Sequence, residues 1–351
     1  MQSLYTHNTP GNTVNINGKD LLFFSGFAYL GLHTHPVFKE ALKEGIDKYE
    51  AIFMSSRIAN VQLTLYDELE HALAVLEQQQ SAVTFSSGYM ASQAAIQYVA
   101  DKGELLYAPG THPSLWLGRP DIPSIKWREW ANQTIEKVNA HPDHTFIIVA
   151  DGVNPLTSTI NDFSWLTQLQ RNVLVLIDDS HGIGILGPTG NGIVHTLPQQ
   201  DHLDYLISAS LAKAYSIQGG VISGRSTHIN TIKKQPLFTA GTPLMPANAY
   251  AFLQSSSLHS TQRTLLHQQI AHFKVITADL KNIHNPFLLP VFLLQNATGM
   301  ETFLLEHDIV ISSFGYPSPD SPPINRIIIS ALHTPHQLEV LHKLLKNNIA
   351  Q

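Results

Sequence analysis

The sequence contains no cysteine, which removes disulfides, thiolate metal sites and cysteine nucleophiles at once. It is also short of charge. Asp, Glu, Lys and Arg make up 14% of its 351 residues, against about 25% in an average soluble domain. A surface so poor in charge is expected to be covered in part by a second copy of the chain. No run of lysine and arginine stands out, and the formal net charge is -6, so neither nucleic acid nor an anionic membrane is expected as a partner. No apolar run approaches the ~20 residues that cross a bilayer. The polar stretch Met1–Thr13 lacks the basic and apolar regions of a leader, so none is read there. Neither an internal repeat nor a low-complexity segment is present. The expectation is a soluble, cytoplasmic protein.

Hydrophobic residues make up 43% of the chain, enough for a large core and for two or three domain-sized units. Short β-rich runs alternate with helical patterns through the middle. Ser81–Phe85, Glu104–Ala108, Ile125–Trp127, Thr145–Ala150, Val173–Asp178, Tyr205–Ala209 and Gly220–Ser223 read as strands. Tyr89–Val99 and Asn161–Leu169 read as helices, and Thr64–Gln78 places Leu65, Leu69, Leu73 and Leu76 on one helical face. Runs apolar on both faces, separated by helices, predict an α/β fold with a mostly parallel sheet covered on both sides. Residues 1–42 read as an N-terminal arm, 43–256 as the large domain and 257–351 as a smaller α+β domain.

In such sheets ligands bind beyond the carboxyl ends of the strands, and the chemically distinctive residues cluster there. Ser86-Ser87-Gly88 follows one strand and opens a helix, whose free N–H groups suit a phosphate. Asp178 and His181 end another strand, and Ser210 and Lys213 follow a third. Each has an ordinary explanation: a helix cap, a solvated strand end, a loop lysine. The 19 histidines are mostly scattered singly in polar contexts, and no HExxH helical pair is present. Gly182-Ile-Gly-Ile-Leu-Gly187 matches the letters of a dinucleotide fingerprint. Pro188, Gly190 and Gly192 follow it, however, so a loop or hairpin is expected where that fingerprint needs a helix. Asp178, Asp179 and His181 alone could suggest a metal hydrolase, but no second ligand cluster accompanies them.

In combination these parts suit pyridoxal 5′-phosphate (PLP). That cofactor needs a lysine for its aldehyde, an anion at the pyridine nitrogen, donors for its phosphate and a side chain against the ring. Phe85-Ser-Ser-Gly-Tyr-Met-Ala-Ser-Gln-Ala-Ala-Ile96, Asp178-Asp-Ser-His-Gly-Ile-Gly-Ile-Leu-Gly187 and Ser210-Leu-Ala-Lys-Ala-Tyr215 before Gly219-Gly220 resemble motifs of the α-oxoamine synthases. So do His112-Pro-Ser-Leu and Arg326-Ile-Ile-Ile-Ser-Ala-Leu-His-Thr334. This family of fold-type-I PLP enzymes, aspartate aminotransferase-like in architecture, includes 8-amino-7-oxononanoate synthase, glycine C-acetyltransferase and serine palmitoyltransferase. The resemblance runs from Tyr29-Leu-Gly-Leu32 to the C-terminus.

The resemblance implies that Lys213 is the Schiff-base lysine and moves the proton at the substrate Cα. It implies that Asp178 pairs with the pyridine nitrogen, that His181 bonds the ring 3′-oxygen and that His112 covers the ring. Ser87, the Gly88 and Tyr89 amides and the Ser210 hydroxyl would surround the phosphate. Thr239 would reach the phosphate of the partner subunit in a homodimer with interfacial sites. Arg326 and Arg57 would contact substrate. The chain departs from the family pattern at Phe27-Ala28, at Tyr49–Met54, at Ser92 and at Pro155, all on the substrate side or near the phosphate helix. Three readings stay open. One is an acyl-CoA:amino acid C-acyltransferase making a decarboxylating Claisen-type condensation. The others are a PLP-dependent aminotransferase and a PLP-fold binding protein without turnover.

Overall fold

The computed structural model describes residues 4–349 except Pro317 and Pro319, and the side chain of Ile349 is also outside the described set. The chain separates into two compact units, residues 35–154 with 160–256, and residues 1–34 with 155–159 and 257–351.

The larger unit is built on a six-stranded sheet. Its strands lie in the spatial order Ser81–Phe85, Gly220–Gly224, Leu203–Ser210, Val173–Asp178, Phe146–Asp151, Glu104–Tyr107. Gly220–Gly224 alone runs against the rest, antiparallel to both of its neighbours, while the remaining pairs are parallel. The sheet is therefore mostly parallel, as the two-sided apolar runs predict. All six residues of Val173–Asp178 and of Phe146–Asp151 are buried.

One face packs on helix Gly88–Ala100, through Ala91, Ala94, Ala95 and Val99 against Leu174, Leu176 and Leu206. The other face packs on helix Trp127–Ala140 and the turn Ser164–Gln168, through Trp130, Val138, Trp165 and Leu166 against Val175, Ile177 and Ile207. Register sets Asp151 beside Asp178 and Asp178 beside Ser208, and it pairs Gly220 with both Phe85 and Ser210. One edge of the sheet thus gathers the strand ends that carry the distinctive residues.

Two local expectations differ from the structure. Ile125–Trp127 is no strand: Trp127 opens a helix that turns Trp130, Ala131, Thr134 and Val138 inward. The helix expected over Asn161–Leu169 is a short 3-10 turn, Ser164–Gln168.

The smaller unit has its own six-stranded sheet, in the order Thr13–Ile16, Lys19–Phe24, Ile309–Gly315, Pro323–Ile328, Val291–Leu294, Ile283–His284. Lys19–Phe24 pairs in parallel with Ile309–Gly315, and Asn12 hydrogen-bonds the Leu332 carbonyl and Gln337. Thr13–Ile16 and Lys19–Phe24 are therefore strands of this unit's sheet, where an arm over residues 1–42 was expected.

Candidate active site

The helix Gly88–Ala100 begins where its strand ends. Ser87 is extended, and its hydroxyl oxygen accepts the Met90 N–H at 3.1 Å. The N–H groups of Gly88 and Tyr89, first in the helix, have no intrahelical acceptor and form the positive end of the helix dipole. Glycine is required here by close packing: a Cβ on Gly88 would collide with Ser210, and one on Gly220 with the Ser87 carbonyl and Gly88. Gly220, Ser210 and the helix start therefore form one tight corner. Ser92, which departs from the family pattern, sits behind it, its hydroxyl 2.7 Å from that of Ser208, both buried.

Asp178 is 8% exposed. Its Oδ1 accepts the Ser180 N–H and its Oδ2 the Ser114 hydroxyl, both at 2.9 Å. The Ser180 hydroxyl oxygen in turn accepts the Ser210 N–H at 2.9 Å, linking two strand ends. His112 precedes the turn Pro113–Leu115, with Nδ1 2.8 Å from the Ser114 oxygen. Its backbone N–H donates to the Asp151 carboxylate at 3.1–3.2 Å. His181 is half-buried in the segment that follows Asp178.

Lys213 lies beyond the Ser210 strand end, within the fields of Asp178 and Asp151. Burial holds its amine below the usual lysine range, against the opposing pull of those two carboxylates. Burial likewise lowers the His112 imidazole; Asp178 raises it and Lys213 lowers it. The Asp151 carboxyl is driven well above the usual range by burial and then by Asp178, with the His112 N–H and Lys213 opposing. A lysine, a histidine and two carboxylates therefore share one sheltered electrostatic environment.

Asp179 is not a solvated strand end. It is 1% exposed, its Oδ2 accepts the Ile193 N–H at 2.8 Å, and burial raises its carboxyl well above the usual range. Gly182 and Gly192 close around it, so that a Cβ on either would strike the carboxylate. The glycine-rich stretch is thus a loop folded over Asp179, bridged by Ile183 and Asn191, and no helix of dinucleotide-binding type follows it. Among the described residues no cluster of His, Asp and Glu could hold a metal ion.

Arg57, expected at the substrate, is occupied elsewhere. Its guanidinium donates to Glu70 Oε1 at 3.0 Å, with the two side chains 6% and 5% exposed, and lies over the Tyr66 ring. Glu70 also takes Lys233 at 2.8 Å. A buried carboxylate leaves a charged partner little freedom, since breaking such a pair costs about 3–5 kcal/mol. Thr239 ends the short helix Pro236–Thr239 and is half-buried, its carbonyl accepting the Ser56 hydroxyl. In the smaller unit Arg326 donates to Ser312 Oγ at 3.1 Å and to the Pro155 carbonyl at 3.4 Å, above the Phe314 ring.

Sequence reasoning missed Asp151, Ser180 and Ser114. Asp151 had a signal, being the acidic residue that ends an apolar run on the same sheet edge. Ser180 and Ser114 had none beyond adjacency to Asp178 and His112.

The residues fit PLP. Carboxyl oxygens carry two lone pairs each, so Asp178 keeps acceptor capacity for a pyridinium N–H after Ser114 and Ser180 are served. Free helix N–H groups suit a dianionic phosphate, and an amine lowered by burial is more readily the free base that an aldehyde needs.

The family model for aminotransferase class I and II matches residues 19–345. The sequence is 26% identical to 8-amino-7-oxononanoate synthase of Thermosipho melanesiensis, over 96% of this chain and 92% of that protein. It is 28% identical to the same enzyme of Coprothermobacter proteolyticus, over 94% and 88%. Serine palmitoyltransferase from S. paucimobilis, solved with PLP and myriocin, superposes with a TM-score of 0.85 at 19% identity, over 99% of this chain and 93% of that one. For 8-amino-7-oxononanoate synthase from Francisella tularensis the TM-score is 0.74 at 22% identity, over 94% and 98%. At these identities the solved structures establish the fold, while the family match spans nearly the whole chain. The chain belongs to the aminotransferase class I and II family of PLP-dependent transferases.

Proposed function

We propose that this enzyme condenses an amino acid with an acyl-CoA thioester, releasing carbon dioxide and free coenzyme A, in the manner of an 8-amino-7-oxononanoate synthase. The observation that carries the reading is the joining of Lys213, Asp178 and His112 at one sheltered strand edge. The condensing reaction, as against transamination, is supported by the relatives that share the sequence over more than nine-tenths of this chain.

PLP, when bound, supplies an electron sink that stabilises negative charge at the substrate Cα. The chain's own residues do the rest. Lys213 holds the cofactor and carries the proton to and from Cα, a task for which a lowered amine is suited. Asp178, held by Ser114 and Ser180, keeps a proton on the pyridine nitrogen. His112 covers the ring, and His181 serves its 3′-oxygen. The Gly88 and Tyr89 N–H groups and the Ser210 hydroxyl take the phosphate, with Ser87 fixing the helix start. Arg326 is assigned the substrate carboxylate.

A homodimer is part of the proposal. The larger unit exposes Ile52, Met54, Ile58 and Val61, with Met54 at 92%, a series of apolar side chains that a second copy would cover. Thr239 of each subunit would then serve the other's phosphate. Among the described residues no helix is long and apolar enough to cross a membrane, and a cytoplasmic location is proposed.

The test is to load the protein with PLP, supply amino acids with a panel of acyl-CoA thioesters, and measure thiol and carbon dioxide together. Equimolar release of both supports the condensation. Amino-group transfer to a keto acid, without thiol release, would replace it with transamination.

A further inference from the structure

The side chain assigned to cover the cofactor ring sits on a loop. His112 lies between Gly110, whose φ is +74°, and the 3-10 turn Pro113–Leu115. It keeps an open surface between Thr111 and Ser114, which are 3% and 5% exposed, so hydrogen bonds more than close packing set its place. Two contacts tie this loop to the strand Phe146–Asp151. The Thr111 hydroxyl donates to the Ala108 carbonyl at 2.7 Å and reaches the Val149 carbonyl at 3.3 Å. The His112 N–H donates to the Asp151 carboxyl, 3.2 Å from Oδ1 and 3.1 Å from Oδ2. The first contact places the loop, and the second acts on the histidine itself.

Asp151 is itself firmly held. It is 7% exposed and ends its strand in register with Asp178. The following N–H, of Gly152, donates to the Asp178 carbonyl at 2.8 Å, and the Asp151 carbonyl accepts the Asn161 side-chain amide at 2.8 Å. Both carboxyl oxygens are directed at one backbone N–H. The imidazole has a separate tether, its Nδ1 accepting the Ser114 N–H at 3.1 Å, which orients the ring once the backbone is fixed.

We propose that Asp151 is a positioning residue: by accepting the His112 N–H it fixes the backbone from which the imidazole covers the cofactor ring. The inference rests on the assignment of His112 to the ring and extends it to the group that holds the histidine there. The role needs an acceptor oxygen and no charge. Burial, and then Asp178, drive the Asp151 carboxyl well above the usual range, against the His112 N–H and Lys213, and a protonated carboxyl still accepts a hydrogen bond. Asparagine offers the same acceptor at the same reach, so it should substitute for the aspartate. Alanine offers none.

The experiment uses the full chain, with and without PLP, as wild type, Asp151→Asn, Asp151→Ala, His112→Ala and the double alanine variant. NMR of labelled histidine reads the His112 ring in the PLP-free chain, its signal identified by its loss in His112→Ala. That signal should move in Asp151→Ala and stay in place in Asp151→Asn. In the loaded protein, Asp151→Ala should weaken the visible circular dichroism of bound PLP. It should also lower PLP affinity about threefold to tenfold, the range of one contact between rings. Asp151→Asn should restore most of both. Added to His112→Ala, the Asp151→Ala change should cost little more, because the imidazole it places is gone.

An unmoved His112 signal in folded Asp151→Ala, equal shifts in the two Asp151 variants, or losses that add to those of His112→Ala overturn the proposal. Should thermal unfolding show that Asp151→Ala does not fold, the His112 amide decides in the wild type and Asp151→Asn. Slow hydrogen exchange in both supports the anchor, and exchange at the rate of an open loop amide overturns it. If His112→Ala alone leaves PLP affinity and dichroism unchanged, the ring assignment falls, and the PLP-free signal still decides the link from Asp151 to His112.

Discussion

Glu77 should cost this protein stability at neutral pH, and replacing it with glutamine should recover that stability. The residue follows helix Thr64–Leu76 as its C-cap and is 0% exposed. Among the described residues no well-formed hydrogen bond reaches either carboxyl oxygen, and the neighbouring Ser223 hydroxyl offers the charge only partial relief. Burial pushes its carboxyl from the ordinary 4.5 up to about 8, against the Ser223 hydroxyl, which favours the charged form. Between those two values the folded chain holds a proton that the unfolded chain has released. Folding therefore takes up a proton there, and stability falls as pH rises. It is greatest below about pH 4.5, declines to about pH 8, and is level beyond.

Each pH unit in that window is worth about 1.4 kcal/mol, so the penalty is about 3 kcal/mol at pH 7 and approaches 5 kcal/mol above pH 8. Glu77→Gln keeps the shape, removes the ionisation and leaves the hydrogen-bond deficit nearly unchanged. Urea unfolding of the PLP-free protein at about pH 5, 7 and 8.5 would read the difference. Near pH 5 the variant should match the parent within about 1 kcal/mol, and the gap should open with pH to the values above. Parallel curves for the two proteins, or a variant less stable at the highest pH, would refute the argument.

Lys213→Ala should retain some PLP through the phosphate contacts and lose turnover by more than the ~10²–10⁴ of a positioned acid–base group; borohydride treatment followed by peptide mapping should label Lys213 in the parent and nothing in the variant. Asp178→Asn should keep the fold and lose most activity, because an amide cannot hold a pyridinium proton by charge. Asp179→Asn should be far milder: among the described residues the carboxyl accepts the Ile193 N–H alone and its other oxygen has no partner, and an amide can serve both positions. Equal losses in steady-state assays would show that the ring partner has been misassigned. Gly192→Ala should destabilise by several kcal/mol, since φ is +76° there and the added methyl meets the Asp179 carboxylate; a melting temperature like the parent's would contradict the enclosed loop.

The elements legible in the sequence are those that a local pattern determines. Val173–Asp178 is buried on both faces, so its composition alone announces a central strand, and its last residue announces a strand-end carboxylate. Ile125–Trp127 misled because a β-rich tripeptide is too short to show its period. The inward residues Trp130, Ala131, Thr134 and Val138 do have helical spacing, but they are diluted by polar neighbours. The pairing of Lys19–Phe24 with Ile309–Gly315 joins two ends of the chain, and no local signature can specify a partner that remote.

The active site divides along the same line. Lys213, Asp178 and His112 were legible because each sits at a strand end, in an order and a context of neighbours that a resemblance can carry. What orders them was not legible. Ser114 reaches Asp178 across 64 positions of sequence, and it does so because Phe146–Asp151 lies between Glu104–Tyr107 and Val173–Asp178. That strand order brings the loop after Tyr107 over the end of the Asp178 strand, with Asp151 between them holding the His112 backbone. A serine two residues past a histidine takes its meaning from the sheet. Substitutions that slip the register of the Asp151 strand should therefore disturb Asp178 without touching it.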